Sequence, residues 1–208
     1  MTVVSAAFVP MTPLLLRHLS GAADPLADLR EAAVTAVRDA CAGAGRVVVL
    51  CPVGGREAPR EWHDPSAPGQ ADARSLAAQV GDHLLGLAGV TLPQRYVDVD
   101  GRLPDGLAPA ADREALLVLG DGAAARGQGA PGHVDERSFG FDDHVAALIE
   151  AGDGAGLAAI DRDLAGDLLA TGRLSWPVAG TLLPAAEGEL RWRGDPFGLT
   201  YLVALWRV

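Results

Sequence analysis

Apolar and polar positions fall in blocks whose period switches between strand and helix along the chain. Val3 to Val9 is apolar and rich in β-branched residues, the pattern of a strand buried on both faces, and Pro10-Met11-Thr12-Pro13 ends it. Asp24-Pro25 then reads as an N-cap followed by proline at the first helical position. Leu26, Leu29, Ala33, Val37 and Cys41 recur at helical spacing until Gly43 and Gly45. A second buried strand follows near 46–51, so the opening third is a βαβ unit with a right-handed crossover. Asp72 is predicted to cap a further helix with Leu76, Val80, Leu84 and Leu87 on one face, and 94–99 is a strand of weaker pattern. A strand near 115–120 comes next. Beyond Asp142 lies a run of short helices, with Asp161 and Ser175 as caps. The tail reads as two strands, Glu189 to Arg193 and Leu199 to Val208, whose Trp192, Tyr201 and Trp206 suit a sheet edge. No repeat or linker splits the chain. The expectation is one α/β domain over 1–208, a central mixed sheet flanked by helices.

One stretch organises this pattern, Leu116 to Asp143. The apolar run Leu116-Leu117-Val118-Leu119 stops at Gly120-Asp121-Gly122, and some twenty residues of Gly, Pro and charge follow. Ligand sites of open α/β sheets lie at the carboxyl ends of strands, and a long irregular loop in a compact domain is more often functional than accidental. The bland alternative is a mobile surface loop with solvated charges. A second such loop, Cys51 to Gln70, follows the second strand. The pocket is therefore expected where the loops at 10–18, 51–70 and 121–140 meet, near the tail turn Gly194–Gly198.

Composition narrows the function classes. The 208 residues carry 27 acidic and 17 basic side chains for a net charge of −10, and every basic one is Arg because the sequence has no Lys. That balance argues against nucleic-acid or anionic-membrane binding, and the absence of lysine removes Schiff-base chemistry. No run approaches the ~18 apolar residues of a membrane span. The N-terminus has no basic leader and is cut by Pro10 and Pro13. With only Cys41 and Cys51, a reduced, cytoplasmic protein is the simpler reading.

The chemistry-bearing motifs are sparse. Gly120-Asp121-Gly122-Ala123-Ala124-Ala125 matches the G-x-G-x-x-A pattern, but Gly127, Gly129, Pro131 and Gly132 leave no helix to face a pyrophosphate, which sets NAD binding aside. His18, His63 and His133 lie in three loops that could meet at one sheet edge and, with a carboxylate, hold iron or zinc; the other two histidines fall in helices. No H-x-H or H-E-x-x-H pair is present. Cys51 could be a nucleophile at a strand end, though a buried Cys there is usually a small hydrophobe. Arg126 offers a planar fork for an anionic group, and Asp121 or His133 could act as general base.

Taken together, the segments AAFVPMTPLL, VVVLCPVGG, VLGDGAAAR, APGHVDERSFGFD and DPFGLTYLVALW resemble the class III extradiol ring-cleavage dioxygenases, specifically their catalytic LigB-like B subunit. The resemblance covers about Val3 to Trp206 and implies a LigB-like α/β domain, an Fe(II) cofactor, a small aromatic substrate and self-association as a homodimer. Departures fall on the chemistry it implies. Met11 stands where the family's first iron-ligating His would be, and Val53-Gly54-Gly55 where the second would follow, with His63 displaced down the loop. The family's acid–base His falls at Arg126, and the late Glu has no motif match, only Asp195, Glu187 and Glu189 in its region. The reading is a divergent member that lacks the usual iron site and binds a small anionic or aromatic ligand through Met11, His63, Arg126 and Asp195. Its alternatives are an active Fe(II) dioxygenase with a displaced site on His63, and a non-catalytic partner subunit.

Overall fold

The computed structural model describes residues 2–54, 57–63, 74–105, 107 and 113–208. Six strands form one sheet in the order β3-β2-β4-β1-β6-β5. They are β1 (Thr2–Val9), β2 (Arg46–Pro52), β3 (Gln94–Val99), β4 (Arg113–Leu119), β5 (Glu187–Gly194) and β6 (Tyr201–Arg207). The first four are mutually parallel, while β6 pairs antiparallel with both β1 and β5, so the sheet is mixed, as expected. β1 and β2 do not pair with each other, because β4 is inserted between them.

The period-two side-chain alternation of strands sorts this sheet into two cores. Ala7, Val9, Val47, Val49, Leu117, Leu119, Val203 and Leu205 face α1 (Ala27–Cys41) and α2 (Leu76–Leu87). Ala6, Phe8, Val48, Leu50, Leu116, Val118, Ala204 and Trp206 face the opposite layer. That layer holds α3 (Arg137–Ala151), α4 (Gly154–Ala158), α5 (Arg162–Asp167) and α6 (Trp176–Leu182). The architecture is a three-layer α/β domain with helices on both sheet faces, which is why its strands read as continuous apolar runs rather than alternating ones.

Several local expectations shift, each for a tertiary reason. α1 starts at Ala27, and Asp24 caps nothing: it sits at φ 41° and accepts a 2.6 Å hydrogen bond from Arg30. Arg30 is buried and also donates to the carbonyls of Leu14 and Leu15, so the pair fastens the loop that leaves β1. Asp72 lies outside the described residues, as does much of the loop after β2, and α2 is capped by Ser75, whose hydroxyl accepts from the Ala78 N–H. Leu76, Val80 and Leu84 of that helix are buried, whereas Leu87 is exposed. α3 begins five residues before the expected Asp142, at Arg137. Asp161 caps α5 as expected, but the Ser175 hydroxyl donates to the Leu119 carbonyl at 2.6 Å instead of capping α6. Of the aromatic tail, Trp192 lies on the edge strand β5 as expected, but β6 lies between β1 and β5, so Tyr201 and Trp206 are interior. Trp206 packs on Phe8 at 4.7 Å and donates its indole N–H to the Ile149 carbonyl.

Candidate functional site

The carboxyl ends of β1 and β4 lie side by side, because Val9 and Leu119 are register partners in a parallel ladder. β6 runs the other way, so its first residue, Tyr201, reaches the same edge. Beyond Leu119 the chain stays fastened. Gly120 donates to the Val9 carbonyl at 3.1 Å, Gly122 to the Thr200 carbonyl at 2.8 Å, and Ala124 to the Leu168 carbonyl at 2.9 Å. The two glycines of the G-D-G motif are needed for close approach, not to cradle phosphate. A Cβ at Gly120 would lie 2.7 Å from the Gly172 Cα, and one at Gly122 would lie 2.7 Å from Asp142. Between them Asp121 is held by its own backbone: its N–H donates to the Thr171 hydroxyl at 2.8 Å, and its carbonyl accepts from the Gly172 N–H at 2.9 Å.

Above this edge is a pocket of about 440 Å³, within the range of small-molecule sites. Its walls are mostly apolar, including Met11, Leu14, Leu76, Leu169, Phe197 and Leu199. Polar lining comes from Thr12, Glu57, Asp121, Thr171 and Tyr201, and no basic side chain is among the described lining residues. Asp121 is 7% exposed. Among the described residues its carboxylate accepts one hydrogen bond, from the Met11 N–H at 3.0 Å, and no ion pair offsets its burial. Burial therefore pushes its pKa up to about 7, and the Met11 hydrogen bond only partly opposes the shift. Tyr201 donates to the Thr12 hydroxyl at 3.2 Å, and burial followed by the nearby Asp121 charge raises its phenol to about 12. Such a pocket can receive an apolar body and offer its polar head one carboxyl and several hydroxyls.

Of the residues singled out from sequence, Met11 and Asp121 line this pocket. The others are placed elsewhere. Arg126 is clamped, with Nε donating to Asp195 at 2.8 Å, Nη1 to Asp142 at 3.2 Å, and its guanidinium 4.3 Å from the Phe139 ring. Asp195 is half exposed, and its partner role is this ion pair. His63 and His133 are both exposed, and neither lines the pocket. His18 lies instead in a separate cleft with His83, between the first loop and α2. Cys41 and Cys51 are free thiols; Cys51 is buried, and burial pushes its pKa up to about 12, which leaves it no thiolate at neutral pH.

Periodicity gives no hint of the remaining participants. Thr171 and Tyr201 are hydroxyls inside otherwise apolar segments, and Glu57 follows a strand at no motif spacing. Glu57 is ion-paired to Arg173 at the pocket wall. Asp142 is the other hidden group. It is 1% exposed, accepts from the Ala123 N–H, the Thr200 hydroxyl and Arg126, and binds the long loop to α3 and β6. Burial still raises its pKa against those three contacts.

The donor set at the pocket does not fit the Fe(II) that the resemblance implies. Its described carboxylates are Asp121 and the salt-bridged Glu57, beside a thioether, whereas a facial iron site needs two imidazoles and a carboxylate on open positions. Among the described residues no group of three or more His, Cys, Asp or Glu is placed to hold a metal ion. Among them, too, no helix is long and apolar enough to cross a membrane. No family model and no curated protein matches the chain.

Proposed function

We propose that this chain is a divergent relative of the LigB-like extradiol dioxygenases whose pocket binds a small, largely apolar, aromatic-sized molecule and works without the iron chemistry of that family. The observation that carries the reading is Asp121: a buried carboxyl lining an apolar pocket, hydrogen-bonded among the described residues by the Met11 N–H alone. A group with a pKa near 7 can hold or give up a proton at working pH, which suits it to general acid–base transfer on a bound hydroxyl or carbonyl. Arg126 would have recognised an anionic ligand, but its fork is engaged with Asp142 and Asp195, so a neutral or cationic head fits better. The free thiols support a reducing, cytoplasmic setting, and β5, which ends the sheet, is the edge through which a homodimer would form.

The test is calorimetric binding of phenethyl alcohol and of catechol to the full chain, with and without Fe(II), beside the pocket-filling variant Ala124→Trp. Ala124 is buried in the pocket wall. Metal-independent binding that Ala124→Trp abolishes is expected. Binding only with Fe(II), followed by ring opening under oxygen, would instead restore the dioxygenase reading.

A further inference from the structure

We infer that the preferred ligand of this pocket is a small aryl or alkyl amine, bound as its ammonium ion against the Asp121 carboxylate; the inference rests on the pocket being a ligand site. Three observations converge on a cation. Asp121 lies in a pocket wall, and among the described residues its carboxylate is met by the Met11 N–H and by no cation. A second carboxylate, Glu57, faces the same cavity, and no basic side chain is among the described lining residues. Two arginines that could otherwise serve a ligand are committed elsewhere, Arg173 to Glu57 and Arg126 to Asp142 and Asp195.

The head group can be matched atom by atom. An ammonium has three N–H donors and no acceptor, and the polar lining is rich in acceptors: the Asp121 carboxylate and the hydroxyl oxygens of Thr12, Thr171 and Tyr201. A carboxylate ligand would meet two carboxylates and find no charged donor among those residues. An alcohol or phenol can use one hydrogen bond but leaves the Asp121 charge without a counterion, so it binds the protonated acid. Charge-assisted pairing with a buried carboxylate is the stronger of these options. The apolar walls, with Leu14, Leu169, Phe197 and Leu199, then take the hydrocarbon body. The net charge of −10 adds a long-range field that favours an approaching cation.

A matched series separates the outcomes: phenethylamine, phenethyl alcohol and phenylacetate, which share a body and differ in the head. Titration calorimetry of the full chain near pH 6 is run in two buffers of different ionisation enthalpy. Near that pH the free Asp121 is largely protonated, so amine binding should release close to one proton while alcohol binding releases none. Glu57 and Tyr201 are the other titratable groups on the described lining; Glu57 is held by Arg173, and Tyr201 titrates at about 12. The amine should bind about ten- to a hundredfold more tightly than the alcohol, and phenylacetate least. Asp121→Asn should lower the amine to the alcohol's level and abolish the proton release. The wild-type proton count needs no variant, so a failure of Asp121→Asn to fold does not blunt the test. Equal binding of amine and alcohol, or tightest binding of phenylacetate, overturns the amine assignment and leaves the pocket standing. Binding of none of the three overturns the pocket with it.

Discussion

The Asp121 Oδ1 accepts a 3.0 Å hydrogen bond from the Met11 N–H, joining two residues that each lie two positions beyond the register partners Val9 and Leu119. The parallel ladder thus ends in a side-chain bridge rather than a backbone one. Pro10, the residue between, has no N–H to offer. The contact uses the backbone of Met11, so the residue type at position 11 is free of the bridge while the residue type at 121 is not. A carboxyl recruited to close a ladder is held in the pocket wall, where no further hydrogen bond from the described residues stabilises its charge.

That placement has a pH signature. The folded Asp121 titrates at about 7 against an ordinary aspartate value of 3.8, so between those pH values the unfolded chain ionises first and draws the equilibrium toward itself. The group's contribution is most favourable below about pH 4, declines as pH rises to about 7, and is flat beyond. Asp121→Asn should therefore be more stable than the parent near pH 8, by a few kcal/mol at most, and equal to it near pH 4. Urea midpoints of both proteins across this range read the difference, in which the other acids cancel. A parent that gains on its Asn variant as pH rises would show that Asp121 is paired in the folded chain.

Arg126 predicts a stability effect rather than a binding one. Its guanidinium is 13% exposed, pairs with the 1% exposed Asp142 carboxylate and stacks on Phe139. Both carboxylate partners raise its pKa against the opposing effect of burial. Arg126→Ala leaves Asp142 buried and, among the described residues, without a cation, which should cost on the order of 3 kcal/mol in chemical denaturation. Arg126→Ala with Asp142→Asn should recover part of that loss. Ligand affinity measured on the folded fraction should barely move, because neither residue lines the pocket.

What could be read from sequence follows from range. The strands were legible because a sheet covered on both faces demands unbroken apolar runs, and Val3–Val9 and Leu116–Leu119 supply them. The pocket's location was legible for the same reason, since strand ends in a parallel sheet share an edge, and Met11 and Asp121 occupy it. Side-chain direction within the long loop was not. Arg126 turns toward Asp195, 69 residues away, and nothing in its neighbours' pattern encodes that partner. Thr171 and Tyr201 were hidden because a hydroxyl in an apolar run looks like core until the fold places it beside a carboxyl. Asp24 misled as a helix cap because Arg30, six residues on, competes for it.

Iron provides a third prediction. His63 is exposed and stands outside the pocket lining, while Met11 and Asp121 offer one thioether and one carboxyl. Anaerobic reconstitution with Fe(II) should leave less than a stoichiometric metal load after desalting, and catechol with oxygen should give no yellow ring-opened product. His63→Ala should change neither result. Turnover that His63→Ala abolishes would place a working site on the displaced histidine.

Leu169 ties the fold to the pocket. α2 and α3 close with a left-handed glycine, Gly89 at φ 70° and Gly152 at φ 65°, each followed by an N–H that reaches back five residues to a helix carbonyl. α5 closes with the same pair of hydrogen bonds, Leu169 N–H to the Gly166 carbonyl and Ala170 N–H to the Ala165 carbonyl, but the residue at φ 58° is leucine. A left-handed leucine costs about 1 kcal/mol relative to glycine. Its side chain lines the pocket wall, which gives the costly residue a use. Leu169→Gly relieves the backbone while removing a half-buried side chain, so the two effects nearly cancel and the denaturation midpoint should shift by less than ~1 kcal/mol. Binding of the aromatic probes should weaken about three- to tenfold as the wall recedes. A variant that loses several kcal/mol of stability would identify Leu169 as core and remove the reason for its strain at the pocket.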